Sequence, residues 1–107
     1  MASAHESAEM HRLKSKLSVE LLWLYVLRLL KEKPLHGYAI RKAIEQQFGF
    51  LPGNVTAYVV LYKLKLRDFV KAEQQGNKTV YSITARGKRL FGEGKKEWHK
   101  HSRQLFS

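Results

Sequence analysis

Polar and basic side chains gather in the middle of the chain in a pattern suited to holding a polyanion. Asn54, Thr56 and Lys63 fall within one run of helical period, Asn77 and Lys78 follow a glycine between two short extended runs, and Arg86, Lys88 and Arg89 open the next segment. Amides and hydroxyls of this kind hydrogen-bond to base edges, while ammonium and guanidinium groups pair with phosphate. Other chemistry is poorly supplied. The chain has no cysteine, which excludes disulfide frameworks and thiolate metal sites. His99 and His101 stand two apart, a spacing that does not place both on one helix face, and no carboxylate pair completes a ligand set. No glycine-rich phosphate loop and no nucleophile spaced from a base is present. The expectation is a binding protein, with no catalytic residues, metal or cofactor.

Charge agrees with that chemistry. Twenty Lys and Arg against 9 Asp and Glu give a formal net charge of +11 and a pI near 10.1, so the surface field favours nucleic acid, with anionic membrane second. The excess is uneven, because residues 63–103 hold 12 of the 20 basic residues and 4 of the 9 acidic ones. A chain of 107 residues, 44% of them hydrophobic, has the size and the apolar content of one domain with a modest core. Its longest apolar run, Leu21 to Leu27, is broken by Arg28, well short of the roughly 20 residues that cross a bilayer. Met1 to Glu9 lacks the basic-then-apolar order of a secretory signal. A cytoplasmic protein without a membrane partner is expected.

The elements that must position the polar residues follow from periodicity. Residues 1–16 have no sustained apolar period and are expected to be a flexible N-terminal arm, one that can extend the first helix. Ser18 is the expected N-cap of a helix reaching about Lys33, ended by Pro34. Leu21, Leu22, Trp23, Leu24, Tyr25, Val26, Leu27, Leu29 and Leu30 leave that helix almost no polar face. In a domain this small, one face meets the core and the other a second copy of the chain; the alternative is the central helix of a compact monomer. His36-Gly37 opens a second helix with Tyr38, Ile40, Ala43, Ile44 and Phe48 at apolar positions, ended by Gly49.

Asn54 is placed to cap a third helix, whose Ala57, Val60, Leu61 and Leu64 make a core-facing stripe. Val70 to Gln75 and Thr79 to Ile83 flank Gly76-Asn77 as a β-hairpin, and Thr84 caps a last helix. In that helix Phe91, Gly94, Trp98, His101 and Leu105 recur at three-four spacing, a seam for another helix. Gly92 and Gly94 either weaken it or end it early. A third helix followed at once by a hairpin is the pattern of a winged helix-turn-helix. The fold expected is mainly α with a small β-hairpin wing, flanked by N- and C-terminal dimerisation helices. The arm then takes residues 1–16, the winged domain 17–84 and the C-terminal helix 85–107.

Leu35-His36-Gly37-Tyr38, Tyr58 with Leu61 and Leu64, Phe69-Val70, and Tyr81-Ser82-Ile83-Thr84-Ala85-Arg86-Gly87 together resemble the PadR family of transcriptional regulators, in the family's order from residue 18 to about 91. The resemblance implies a winged-helix homodimer, with the terminal helices forming the dimer contact, that binds operator DNA and often represses transcription; some relatives respond to small aromatic ligands. Two departures stand out: Asp68 replaces the family's usual Gly, and the hairpin is short. The chain resembles the small subfamily with one C-terminal helix.

On this reading the third helix enters the major groove, with Asn54, Thr56 and Lys63 as its polar contacts. Asn54 serves either as cap or as base contact. Tyr58 joins the set, and Val55, Val59, Tyr62 and Leu66 form a second stripe opposite the core. That stripe meets thymine methyl groups, a protein partner or the N-terminal arm. Asn77 and Lys78 at the hairpin tip meet phosphate or the minor groove. His36 and Tyr38 lie at the positive end of the second helix, with the Tyr38 ring expected in the core and its hydroxyl reaching the DNA backbone. Arg86 adds phosphate attraction. The dimer contact is expected from Leu22, Trp23, Tyr25, Val26, Phe91, Trp98 and Leu105, and an aromatic effector would lie against Trp23, Tyr25 or Trp98. Two other functions fit parts of the pattern: a winged-helix protein-interaction module, and a non-specific nucleic-acid binder driven by charge.

Overall fold

The computed structural model describes residues 5–107. Five helices run α1 (Ala8–Leu17), α2 (Leu22–Glu32), α3 (Gly37–Phe48), α4 (Asn54–Leu66) and α5 (Ala85–Phe106), with strands β1 (Leu35–His36), β2 (Val70–Gln75) and β3 (Lys78–Ile83). This is a winged helix-turn-helix: α3 and α4 form the helix-turn-helix and β2–β3 the wing.

Apolar spacing fixes the core. Leu22, Val26, Leu27, Leu29 and Leu30 of α2 pack against Ile40 and Ile44 of α3, Leu61 and Leu64 of α4, and Val70 of β2. Each is almost fully buried. Helix α2 is therefore the central helix of the chain's own core. This corrects the expectation for Leu22 and Val26: their own chain encloses them, and neither side chain is free to touch a second copy. Trp23, Leu24 and Tyr25, on the other side of α2, are only partly covered.

The N-terminal third differs from the sequence expectation. Residues 1–4 of the expected arm lie outside the described residues, and most of the remainder is α1. Ser7 accepts a hydrogen bond from the Met10 N–H, Glu9 lies in the first turn, and Lys14 and Lys16 lie in the last, so both ends of α1 are stabilised locally. Ser18 does not cap the next helix. Its hydroxyl donates to the Lys14 carbonyl at 2.7 Å, closing α1, and a single 3-10 turn, Val19–Leu21, leads into α2. A serine near a helix end suits either job, and α1 claims it.

The sheet has order β1-β3-β2 and is antiparallel throughout. Strand β1 escaped the sequence pattern because two residues, Leu35↔Tyr81 and His36↔Val80, are too few to show a period. The wing turns at Gly76-Asn77 as expected, but β3 begins one residue before the expected run, with Lys78 paired opposite Gln75. Gly76 has φ +63°, and as the first central residue it makes this a type II′ hairpin.

Helix α4 ends in a motif that places Asp68 at a position suited to glycine. The Asp68 N–H donates to the Lys65 carbonyl and the Phe69 N–H to the Leu64 carbonyl, the paired bonds of a Schellman cap. Asp68 sits at the left-handed position of that cap with φ +65°, where glycine is free of steric cost. Asp68→Gly is expected to raise stability by about 0.5–1 kcal/mol, the strain relieved outweighing the added freedom of the unfolded chain; an unchanged or lower denaturation midpoint would contradict it. The opposite holds at Gly87, which is buried against the Phe69 carbonyl and the Ile83 side chain with no room for a Cβ. Gly87→Ala should cost about 1–3 kcal/mol, because backbone must move.

Helix α5 continues through Gly92 and Gly94. Gly94 lets it approach α2 closely, since a Cβ there would lie 3.1 Å from Leu24 and 3.3 Å from Trp23. The expected seam is thus divided. Phe91 and Gly94 pack on the chain's own α2, while Trp98, His101 and Leu105 continue beyond it, exposed. Among the described residues, no helix is long and apolar enough to cross a membrane.

Candidate nucleic-acid interface

Three elements meet at one cleft. Strand β1 hydrogen-bonds to β3 and delivers the chain directly into α3, so the start of α3 lies beside the wing. The resulting hollow, of about 390 Å³, is lined by His36, Gly37 and Tyr38 from the start of α3, Tyr58 from α4, and Asn77, Lys78, Thr79 and Tyr81 from the wing. Five residues expected at the interface from separate parts of the sequence, His36, Tyr38, Tyr58, Asn77 and Lys78, are brought together here. No acidic side chain lines it.

Gly37 is what allows the cleft to close on its inner side. A Cβ at that position would meet the Tyr58 hydroxyl at 2.5 Å and its ring at 2.7–2.8 Å, so the bare backbone lets Tyr58 pack against the first turn of α3. Tyr38 turns outward and is 59% exposed, which corrects the expectation of a ring in the core: the first turn of α3 presents position 38 to solvent, and Ile40 and Ile44 fill the core instead. Thr79 and Tyr81 were not expected in the cleft. Their signal was the β1–β3 pairing, which the sequence did not reveal. Burial, and secondarily the neighbouring Tyr58, hold the Tyr81 hydroxyl above its ordinary pKa, so near neutral pH it remains a protonated donor.

Helix α4 presents a mixed outer face. Gly53 is its N-cap and no side chain closes that end, so Asn54 is the first helical residue and not the expected cap. Its side chain is exposed beside Val55 and Thr56. Farther along, Val59, Tyr62 and Leu66 are exposed as expected for the second stripe, Leu66 at 70%. Ala57, Leu61 and Leu64 are buried on the opposite side. Val60 is only half-buried, at the edge of the core stripe. Lys63 lies on the flank of α4, over a hollow shared with Trp23, Val60, Arg67 and Phe69, and does not line the cleft beside the wing. The Arg41 guanidinium donates to the Pro52 carbonyl at 3.1 Å and so ties α3 to the turn before α4.

Electrostatically this side is uncompensated. The ion pairs among the described residues join Lys14 to Glu6, Lys16 to Glu20, Arg28 to Glu32, Lys42 to Glu45 and His101 to Glu97. None involves α4 or the wing, which leaves Lys63, Lys65, Arg67, Lys71 and Lys78 without an acidic partner among those residues. Arg86 is occupied differently: its Nε donates to the Arg67 carbonyl at 3.1 Å and its guanidinium lies 4.9 Å from the centroid of the Phe69 ring.

A second feature lies elsewhere. Leu13 and Leu17 of α1, Leu21 and Leu24 at the start of α2, and Trp98, Leu105 and Phe106 of α5 line an open apolar groove of about 780 Å³. Beside it, Leu21, Tyr25, Phe91 and Trp98 bound a hollow of about 340 Å³ with Arg28, Lys95 and His99 also lining it. Trp23, Tyr25 and Phe91, expected at a dimer contact, are half-buried, whereas Trp98 and Leu105 are exposed.

Residues 26–93 match the model of the transcriptional regulator PadR-like family. The fold is similar to that of a PadR family transcriptional regulator from Eggerthella lenta, with TM-score 0.79 and 21% identity over 96% of this chain and 90% of that one. It is also similar to a PadR family transcription regulator from Clostridium difficile, with TM-score 0.70 and 23% identity over 81% and 99% of the two chains. At these identities the likeness speaks for the fold. An uncharacterized 37.1 kDa protein of a Streptomyces fradiae transposon is 38% identical over 66 residues, which are 61% of this chain and 19% of that protein. The chain thus matches about a fifth of the length of that curated relative.

Proposed function

The chain belongs to the PadR-like family of transcriptional regulators, and from that premise we propose that it is a homodimeric, sequence-specific DNA-binding protein that represses transcription by occupying a pseudo-palindromic operator. The observation that carries this reading is the cleft where the start of α3, the flank of α4 and the wing tip converge without an acidic side chain. In that arrangement α4 enters the major groove, with Asn54, Val55, Thr56, Val59 and Tyr62 toward base edges. His36, the Tyr38 hydroxyl and Lys78 hold phosphates on either side, and Asn77 accompanies Lys78 at the wing. Lys63 acts from the flank of α4, at the backbone.

The apolar groove between α1, α2 and α5 supports the homodimer. Trp98, Leu105 and Phe106 extend past the protomer's own core, and a second copy of the same helix is the simplest apolar surface to cover them. Two winged domains related by a twofold axis then read half-sites about one helical turn apart. The hollow beside Trp98 and Phe91 is where a small aromatic effector would lie if the protein senses one.

Substitution separates base readout from phosphate attraction. Lys78→Ala should weaken binding to every duplex alike and lower the salt slope by about 1 for each phosphate that the lysine neutralises. Thr56→Val or Val59→Ala should instead change the preference among sequences, by about 1–3 kcal/mol at particular base pairs. Equal weakening on all duplexes for both kinds of variant would remove the base-reading role of α4.

The exposed Val55, Val59 and Leu66 favour a second reading, in which the outer face of α4 binds protein. It differs in a measurable way, since such binding would persist at high salt and duplex DNA would not be retained.

A further inference from the structure

The residues that close α4, Arg67 to Phe69, are joined to the start of α5 by hydrogen bonds to three consecutive carbonyls. The Arg67 carbonyl accepts from Arg86 Nε at 3.1 Å, the Asp68 carbonyl from the Thr84 hydroxyl at 2.7 Å, and the Phe69 carbonyl from the Thr84 N–H at 3.1 Å. Thr84 Oγ1 at the same time accepts from the Gly87 N–H at 3.0 Å, so the residue that caps α5 also holds α4. Gly87 brings the α5 backbone flush against the Phe69 carbonyl. The guanidinium of Arg86 lies over the Phe69 ring. At the other end of α4, where Gly53 is the cap, Arg41 of α3 makes a single such bond, to the Pro52 carbonyl.

From this junction we infer that Arg86 is a positioning residue, one that sets the angle of the recognition helix against α5 and does not serve as a phosphate contact; the inference rests on the DNA-binding reading above. Carbonyls at a helix C-terminus carry partial negative charge and need donors. Arg86 supplies one from a planar group that is also held by the ring beneath it, which a lysine cannot reproduce. Because α5 also carries the exposed apolar seam, Arg86 links the orientation of α4 to the axis of the dimer.

Arg86→Lys and Arg86→Ala separate the two roles. For a positioning residue, both variants lose operator affinity by a similar factor, roughly tenfold, and both keep the wild-type slope of affinity against salt. A phosphate contact behaves otherwise: Arg86→Lys retains wild-type affinity and Arg86→Ala lowers the slope by about 0.9 per phosphate. That result would overturn the proposal. Amide hydrogen exchange on the free protein decides the structural half without DNA. Thr84 N–H, which donates to the Phe69 carbonyl, and Gly87 N–H, which donates to Thr84 Oγ1, should exchange faster in both variants while Leu27 and Leu61 keep their protection; unchanged exchange at residues 84 and 87 overturns the clamp. Wild-type protein with no preference among duplexes refutes the DNA reading and the role of Arg86 on DNA together, whatever the exchange result.

Discussion

Trp98→Glu combined with Leu105→Glu is expected to yield a folded monomer whose operator affinity is roughly 10²–10⁴-fold weaker, the range associated with removing the second of two linked binding sites. Both side chains lie on the part of α5 that continues past the chain's own core, Leu105 at 74% exposure, so their replacement leaves the buried cluster around α2 intact. Charges at this seam would have to be desolvated against a second apolar helix, which disfavours association strongly. Solution mass and the melting curve check the two halves of the expectation. A variant that stays dimeric would place the dimer contact elsewhere. A monomer that binds the operator as tightly as the parent would remove the need for two half-sites.

Salt should act nearly as strongly on the unaltered protein. With a formal net charge of +11 and five basic residues of α4 and the wing free of acidic partners among the described residues, each protomer can displace several counterions. A dimer making roughly 6–10 phosphate contacts weakens by about 10³–10⁵-fold in affinity between roughly 50 and 200 mM salt. Titration of a fixed duplex at several salt concentrations gives the slope directly. A nearly flat slope would contradict phosphate-driven binding by α4 and the wing, and no binding of the duplex at any of these salt concentrations would favour the protein-interaction reading of the α4 outer face.

The fold was legible where a period ran long enough. The Ala57–Leu61–Leu64 stripe, the Gly76-Asn77 turn and the Thr84 cap each express one local rule, and the structure has all three. Legibility failed where one residue type satisfies two rules. Ser18 closes α1 instead of opening α2, and Asn54 stands one place after the cap. The α2 helix, apolar on all sides, implied an external partner for Leu22 and Val26; the core needed both, and only Trp23, Leu24 and Tyr25 remain partly open. At the candidate site, the sequence identified individual residues but not their meeting. His36 and Lys78 are 42 positions apart, and it is the two-residue β1, invisible to periodicity, that brings the start of α3 beside the wing. The clamp between Arg86 and the end of α4 lay outside sequence reasoning for the same reason, since backbone carbonyls leave no mark in the order of side chains.

Selection of bound duplexes from a random library at near-physiological salt, with the mass of the complex recorded, tests the central claim most directly. The expected result is a pseudo-palindromic motif, with half-sites about one helical turn apart, recovered by a species of two chains. Recovery of DNA without enrichment would reduce the protein to a charge-driven binder, and recovery of none would contradict the regulator reading and move the function to the apolar outer face of α4.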